Sequence, residues 1–372
     1  MGAAARRQVL LLHAASSENA TFSYQHGWPR HFERHPRFAV TAVNLAGLGI
    51  GGRLAAGIAV RRWRGDAIVL LHSVFSNAQY LDGRLLEAVA ARHEPKAFFI
   101  GNEYKLMPEK MAFCDTLGVS LLVSQSRSPA VHDRYRRRLG CEVVGIPNTG
   151  FDATLFVPTA PADQRPIDLG YRAEASPWYL GHREREDLAE FFQAQAGRLG
   201  LTVDISLEAG ARFDERGWAG FLNRCKGQLG SEAGGDYSET TDQTRHAVNA
   251  FVAANPATSF DEVYERFFRH YRDPLPLRIL SGRHVEAAAT RTVQVLFEGD
   301  YDGYLQRDVH YIPLKKDFSD IDEALRKFRD PALCEQLADS AYRLAMTQFT
   351  YDTLIDRFAD ALASVASPGL VH

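Results

Sequence analysis

The chain reads as an α/β protein built from two Rossmann-like domains facing a cleft. Short apolar runs alternate with amphipathic helical stretches, the pattern of a mostly parallel sheet covered on both faces. The alternation breaks at a proline-punctuated stretch carrying Pro147, Pro158, Pro161 and Pro166, then restarts. The 372 residues, 45% of them hydrophobic, suit two domains with a core each, at roughly 150 residues per domain.

In order, Val9–His13 is the first buried strand and Val40–Leu45 the second. Ala67–His72 is the third, followed by a helix with Leu81, Leu85, Leu86 and Val89 on one face. Ala97–Gly101 repeats the strand signal. Pro108 stands where a helix begins, a position that has no use for the missing N–H. Leu121–Ser124 is the next strand. A helix from Pro129 closes at Gly140, and Glu142–Ile146 ends the first half. After the prolines, Ile167–Tyr171 is strand-like. Leu188, Phe191, Phe192, Ala196 and Leu199 form a helical stripe that Gly200 terminates. Leu201–Leu207 alternates like a strand, and two helical stretches fill about Arg245–Arg272. Leu277–Leu280 leads through Ser281-Gly282 into a helix from Arg283. Thr292–Leu296 is the next strand. Helices close the chain, the last near Asp352–Ala366.

Composition excludes several classes. The net charge of −3 argues against general nucleic-acid binding, which wants a strongly basic face. Cys114, Cys141, Cys225 and Cys334 are far apart, so free thiols are expected rather than a disulfide framework or a zinc site. The apolar run Gln8–Leu12 is too short for a signal segment and no stretch reaches a membrane span. Gly2 lacks the Ser or Thr that myristoylation wants. A cytoplasmic protein is expected.

Three motifs invite chemistry. Gly47–Gly52 matches G-x-G-x-x-G, but it follows the second strand and lacks the acidic residue of a dinucleotide site, so a flexible glycine loop is expected. Asp300-Tyr-Asp302 has the form of a cation-binding pair, yet its glycine neighbours read as a solvated turn. Ser281-Gly-Arg283-His284-Val-Glu286 is stronger. A glycine turn opens a helix whose free N–H groups and dipole favour an anion, and Arg283 and His284 stand at its first positions. Arginine adds bidentate phosphate recognition. Local chemistry alone leaves a plain capped helix as an equal reading.

Val285-Glu286-Ala-Ala-Ala, Thr292-Val-Gln-Val-Leu296 and His310-Tyr-Ile-Pro-Leu314 follow one another here. Together they resemble the donor-binding segment of GT-B glycosyltransferases of the "group 1", retaining, family-4-like type. The connector Val144-Gly-Ile-Pro-Asn-Thr-Gly-Phe-Asp152-Ala-Thr-Leu-Phe156 is similar to that family's Pro-Asn-Gly-Val-Asp-x-x-x-Phe. The resemblance implies transfer of a sugar from a nucleotide-diphosphate sugar to a hydroxyl acceptor, with no metal and no cofactor beyond that co-substrate. It implies an acceptor domain over 1–156, a donor domain over 157–348, and a final helix over 349–372 that packs back on the first. Glu286 would bind the ribose. The family's first glutamate, eight positions earlier, is Arg278 here, so Glu232 is expected in its place. Arg172, His182 and Arg183 stand for the basic residue after the first strand of the domain.

On the acceptor side, Asn102-Glu103-Tyr-Lys105 ends a strand where α/β sites collect. Glu103 and His26 are placed as catalytic, Glu103 as base in an inverting reaction or as orienting group in a retaining one. Trp28 is expected to stack on a sugar, with His31, His72, Asn102 and Lys105 near the acceptor. Arg61, Arg62 and Arg64, and Arg134, Arg136, Arg137 and Arg138, form basic faces. Solvent is their default partner and an anionic membrane surface the alternative. A sugar-nucleotide epimerase, a non-catalytic nucleotide- or glycan-binding protein and a nicotinamide-dependent oxidoreductase are the rival readings.

Overall fold

The computed structural model describes residues 6–16, 23–271 and 275–365. Gly2, Arg272 and Ala366, to which the sequence reading extends, lie outside the described residues. The chain divides into two compact units.

The N-terminal unit runs to Gly150 and adds Glu239–Asp242 and the stretch from Tyr351 onward. Its strands are β1 (Arg7–His13), β2 (Phe38–Asn44), β3 (Ala67–Leu70), β4 (Lys96–Phe99), β5 (Leu121–Ser124) and β6 (Glu142–Gly145). They form one parallel sheet in the order β2-β1-β3-β4-β5-β6. Val9–Leu12 of β1, all of β3, Ala97–Phe99 of β4 and Leu121–Val123 of β5 are apolar and buried, because helices bury both faces of a parallel sheet. The helices between them are α1 (Ser23–Arg34), α2 (Ile50–Arg62), α3 (Gly83–Ala90), α4 (Met107–Leu117) and α5 (Pro129–Leu139). Gly118 and Gly140 end α4 and α5 at φ 62° and 66°, left-handed caps that suit glycine.

One expectation is corrected here. Gly47–Gly52 is not a loop throughout: Gly49 is the N-cap of α2, and Gly51 and Gly52 lie in its first turn. His26–His31 is part of α1, with Pro29 inside the helix. On its inner side Trp28, Phe32, Phe38, Phe99 and Phe358 form an aromatic core. A Cβ on Gly27 would lie 2.3 Å from the Tyr351 ring, so only glycine admits the C-terminal helix this close.

The C-terminal unit comprises residues 151–238 and 243–350. Its strands are β7 (Ile167–Arg172), β8 (Val203–Ser206), β9 (Cys225–Gly230), β10 (Ala233–Gly235), β11 (Leu277–Ile279), β12 (Val293–Phe297) and β13 (Ile312–Leu314). Five make a parallel sheet in the order β13-β12-β9-β7-β8. The strand at Leu277 does not join it but pairs antiparallel with β10. The helices are α6 (Glu184–Leu199), α7 (Glu215–Arg224), α8 (Gln243–Ala254), α9 (Phe260–Phe267), α10 (Gly282–Ala289), α11 (Ile321–Phe328) and α12 (Pro331–Gln348); α13 (Tyr351–Val365) closes the N-terminal unit. Buried Arg165 ties the connector to this unit. Its guanidinium donates to the carbonyls of Ala160, Cys225 and Thr290 and to Thr292 Oγ1 at 2.9–3.2 Å. Asp300 caps a 3-10 turn at Tyr301–Gly303 and Asp302 lies within it; Asp302 is buried, so the turn is not the solvated one expected.

Candidate functional site

In an open α/β sheet, ligands bind beyond the strand C-termini where the strand order reverses. In the C-terminal unit that point lies between β7 and β9. Tyr171 is the penultimate residue of β7, Gly230 ends β9 with Ser231 and Glu232 after it, and α10 begins close by.

Arg283, in the first turn of α10, lies with its guanidinium 5.6 Å from the centroid of the Tyr171 ring. Burial pushes its pKa down, Arg185 and Arg212 push the same way, and Tyr171 and Glu286 oppose them. Among the described residues Arg283 has no carboxylate partner. Arg212 pairs with Glu174, and Arg185 donates to the Glu174 carbonyl at 3.3 Å. A half-buried, uncompensated guanidinium beside two others at a helix N-terminus is built to receive an anion.

Buried polar atoms without partners accompany it: Tyr171 OH, Ser231 Oγ and His284 Nε2. Such atoms are rare in a folded chain unless a ligand satisfies them. His284 Nδ1 accepts from the Ser281 backbone N–H at 3.2 Å. Burial lowers the His284 pKa to about 3, so the ring is neutral. With Nδ1 accepting, Nε2 carries the proton and is a free donor. A Cβ at Gly230 would stand 3.0 Å from Nε2; glycine there keeps that donor unobstructed. Glu286 is buried, and Trp218 Nε1 donates to its Oε2 at 2.8 Å, fixing the carboxylate one turn into α10.

Beside this lies a buried ion cluster. Arg278 donates to both Glu184 oxygens at 3.0 and 3.1 Å and to Asp236 Oδ1 at 2.5 and 2.8 Å. Lys316 adds a 2.6 Å pair to Glu184. These cations hold the Glu184 carboxyl below its usual range against the burial that raises it. Glu232 is also buried and accepts from the Tyr301 N–H at 2.7 Å. Burial raises its pKa, and the Tyr301 bond engages its Oε1. Two expected donor residues are corrected. Arg172 is spent on Asp204 at 2.5 Å and on the faces of Phe213 and Phe221. Arg183 is surface charge on α6, paired with Asp187 and Glu190. His182 is buried with Nε2 against the Gly234 carbonyl at 3.0 Å.

In the N-terminal unit the order reverses between β1 and β3. His13 ends β1 and His72 follows β3. Burial lowers their pKa values to about 4 and about 3, with His26 adding to the effect on His13. His13 Nδ1, His26 Nε2 and both His72 nitrogens are buried without a partner. His13 was missed from sequence, although it is the polar residue that ends the first apolar run. His26 acts electrostatically on His13, and His13 lies at the same reversal of strand order as His72.

Three acceptor-side assignments do not hold. Glu103, 1% exposed, accepts from Ser124 Oγ, the Gln125 N–H and Tyr135 OH at 2.6–2.8 Å. Its lone pairs are committed to three structural donors, so it is not a base facing substrate. Trp28 is fully buried and donates to the Asn148 carbonyl at 2.7 Å, out of reach of a sugar. His31 stacks on Tyr351 and bonds Asp352 at 3.3 Å. Asn102 (φ 47°) donates to Ser76 Oγ at 2.9 Å. The carbonyls of Asn102 and Lys105 both accept from buried Lys110 Nζ at 2.9 Å. Those bonds shape the loop after β4. Glu103→Gln is expected to lower stability by about 1–3 kcal/mol, because the amide NH₂ meets a donor. Turnover should change less than about ten-fold, since general-base loss costs ~100-fold or more; steady-state rates at matched folded fraction check this.

The buried neutral histidines also set a pH dependence. The folded pKa values of His13, His72 and His284 lie below the ordinary 6.5. The unfolded chain therefore takes up protons first on acidification, and stability falls as pH drops from about 6.5 toward 4. Each contributes a slope of up to about 1.4 kcal/mol per pH unit. Urea titrations across that window should show the fall, and His72→Phe should flatten it by one histidine's share.

No family model matches the chain, and no curated protein matches it. Solved structures do. A glycosyltransferase from Rickettsia africae aligns over 98% of this chain and 100% of its own, with TM-score 0.52 at 8% identity. HepE from Anabaena, solved with UDP-glucose, aligns over 96% and 100%, with TM-score 0.52 at 14% identity. Sucrose-phosphate synthase from Thermosynechococcus elongatus aligns over 97% and 99%, with TM-score 0.52 at 12% identity. At these identities the likeness is one of fold, and the fold is GT-B, with two Rossmann-like units.

Proposed function

We propose that the protein is a glycosyltransferase that moves a sugar from a nucleotide-diphosphate sugar to a hydroxyl acceptor. The observation that carries this is Arg283: an arginine without a carboxylate, at a helix N-terminus and over Tyr171, among buried donors that lack partners. In this reading the diphosphate lies against Arg283 and the α10 N–H groups. Both stabilise the charge that grows on it as the glycosidic bond breaks. His284 Nε2–H and Tyr171 OH are further donors to its oxygens. Glu286, held by Trp218, accepts from the ribose hydroxyls. The uncompensated Arg283 guanidinium supplies positive charge at the diphosphate, so the reaction is read as metal-independent and cofactor-free.

The acceptor is assigned to the N-terminal unit, where His13, His26 and His72 offer neutral ring nitrogens. With Glu103 locked inside, the departing phosphate oxygen takes the acceptor proton, which favours attack on the leaving-group face. The protein is placed in a reducing, cytoplasmic setting. Its cysteines are free thiols, and burial pushes Cys225 up to about 12 and Cys141 to about 11, away from the reactive thiolate.

A panel of UDP-, GDP-, ADP- and dTDP-sugars, read by nucleoside diphosphate release with and without an added glycan or alcohol, tests the reading. Release that rises with acceptor is expected. HepE's UDP-glucose complex makes that donor the first to try. Conversion of a donor with no acceptor present would instead indicate an epimerase.

A further inference from the structure

Helix α2 carries an apolar stripe turned to solvent. Ala56 and Val60 face inward, while Ile50, Leu54 and Ile58 are 92%, 59% and 44% exposed. Their four-residue spacing puts them on one face. They are half of the large hydrophobic side chains exposed among the described residues. A side chain such as Ile50 gains nothing from that position in water, and three in line form a patch of the kind that meets a partner.

The charge around the stripe selects the partner. α2 contains no acidic residue, and Arg61 and Arg62 stand in its last turn. Among the described residues neither has a carboxylate partner. Arg64 turns back to donate to the carbonyls of Arg61, Arg62 and Trp63 at 2.9–3.3 Å, closing the helix end. The basic run on α5 is different: Arg136 pairs with Asp133 at 2.9 Å and Arg138 with Asp115 at 2.7 Å. That run is an ordinary solvated face. A second copy docked stripe to stripe would bring no acid from α2 itself to Arg61 and Arg62, because the helix has none. A bilayer of anionic lipid satisfies both features at once: its acyl boundary takes the stripe and its phosphates take the guanidiniums. Among the described residues no helix is long and apolar enough to cross a membrane, so the contact is peripheral.

We propose that α2 docks the protein on an anionic membrane surface through Ile50, Leu54 and Ile58, with Arg61 and Arg62 on the lipid phosphates. The docking does not depend on the donor site and holds without any nucleotide. Vesicle co-sedimentation of the full chain tests it. The protein should pellet with phosphatidylcholine vesicles containing about a third phosphatidylglycerol and stay in solution with phosphatidylcholine alone, and added salt should weaken the binding. Ile50→Ser/Leu54→Ser/Ile58→Ser should lower partitioning more than about ten-fold. Arg61→Gln/Arg62→Gln should lower it about thirty-fold. Both variants should keep the wild-type circular dichroism, since the replaced side chains are exposed. Equal pelleting with neutral and anionic vesicles would overturn the proposal, as would undiminished binding by the serine variant. A stripe-dependent dimer in sedimentation velocity, with no vesicle binding, would also overturn it.

Discussion

Arg278→Glu should destabilise the protein by about 3–5 kcal/mol or more, the cost of breaking a buried ion pair and leaving its partners uncompensated. At ~2–4 °C per kcal/mol for a unit of this size, the melting temperature falls by about 10 °C. The resemblance makes the opposite outcome tempting, because the substitution restores the family's glutamate at that position. The geometry forbids it. Among the described residues Arg278 is the only cation that touches both Glu184 and Asp236, and Glu232 lies close enough to feel the same charges. A glutamate there would crowd a fourth carboxylate into one buried cluster. Differential scanning calorimetry with a parallel donor-turnover assay checks this. A gain in turnover at unchanged melting temperature would show that Arg278 is a replaced catalytic position rather than the keystone of an ion cluster.

Arg283→Gln should behave in the reverse manner. It removes a charge that no carboxylate in the described chain uses, so stability should stay within about 0.5 kcal/mol of wild type or rise slightly. Donor affinity and kcat/KM should fall about ten- to a hundred-fold, the worth of one charge-assisted bond to a phosphate. Arg283→Lys should recover only part of the loss, because a lysine gives a point charge where the guanidinium gives a planar fork. Isothermal titration with the donor and thermal melts of the same samples read both effects. Unchanged affinity would remove Arg283 from the donor site.

The fold was legible because its signals are local. Apolar runs bounded by helical stripes, Pro108 and Pro129 near helix starts, and Gly118, Gly140 and Gly200 in left-handed caps each act within one turn. The α10 candidate was legible for the same reason, since Arg283, His284 and Glu286 all stand within one short helix. The failures are of long range. Glu103 looks like a base from its place after β4, but the groups that claim its oxygens stand 21, 22 and 32 residues away. Arg172 and Arg278 find their acids 32, 42 and 94 residues away. Nothing near Trp28 in sequence announces that α13 will cover α1 and leave the indole buried. Trp218 and Tyr171, which contact Glu286 and Arg283, carry no motif of their own.

The central claim is that α10 and Arg283 grip the diphosphate of a nucleotide sugar. Calorimetric titration of the wild-type protein with UDP, GDP, ADP and dTDP, alongside each matching nucleoside, tests it most directly. At least one diphosphate should bind, at least about ten-fold more tightly than its nucleoside, since the phosphates carry the charge-assisted contacts. Binding of no diphosphate, or equal binding of diphosphate and nucleoside, would contradict it.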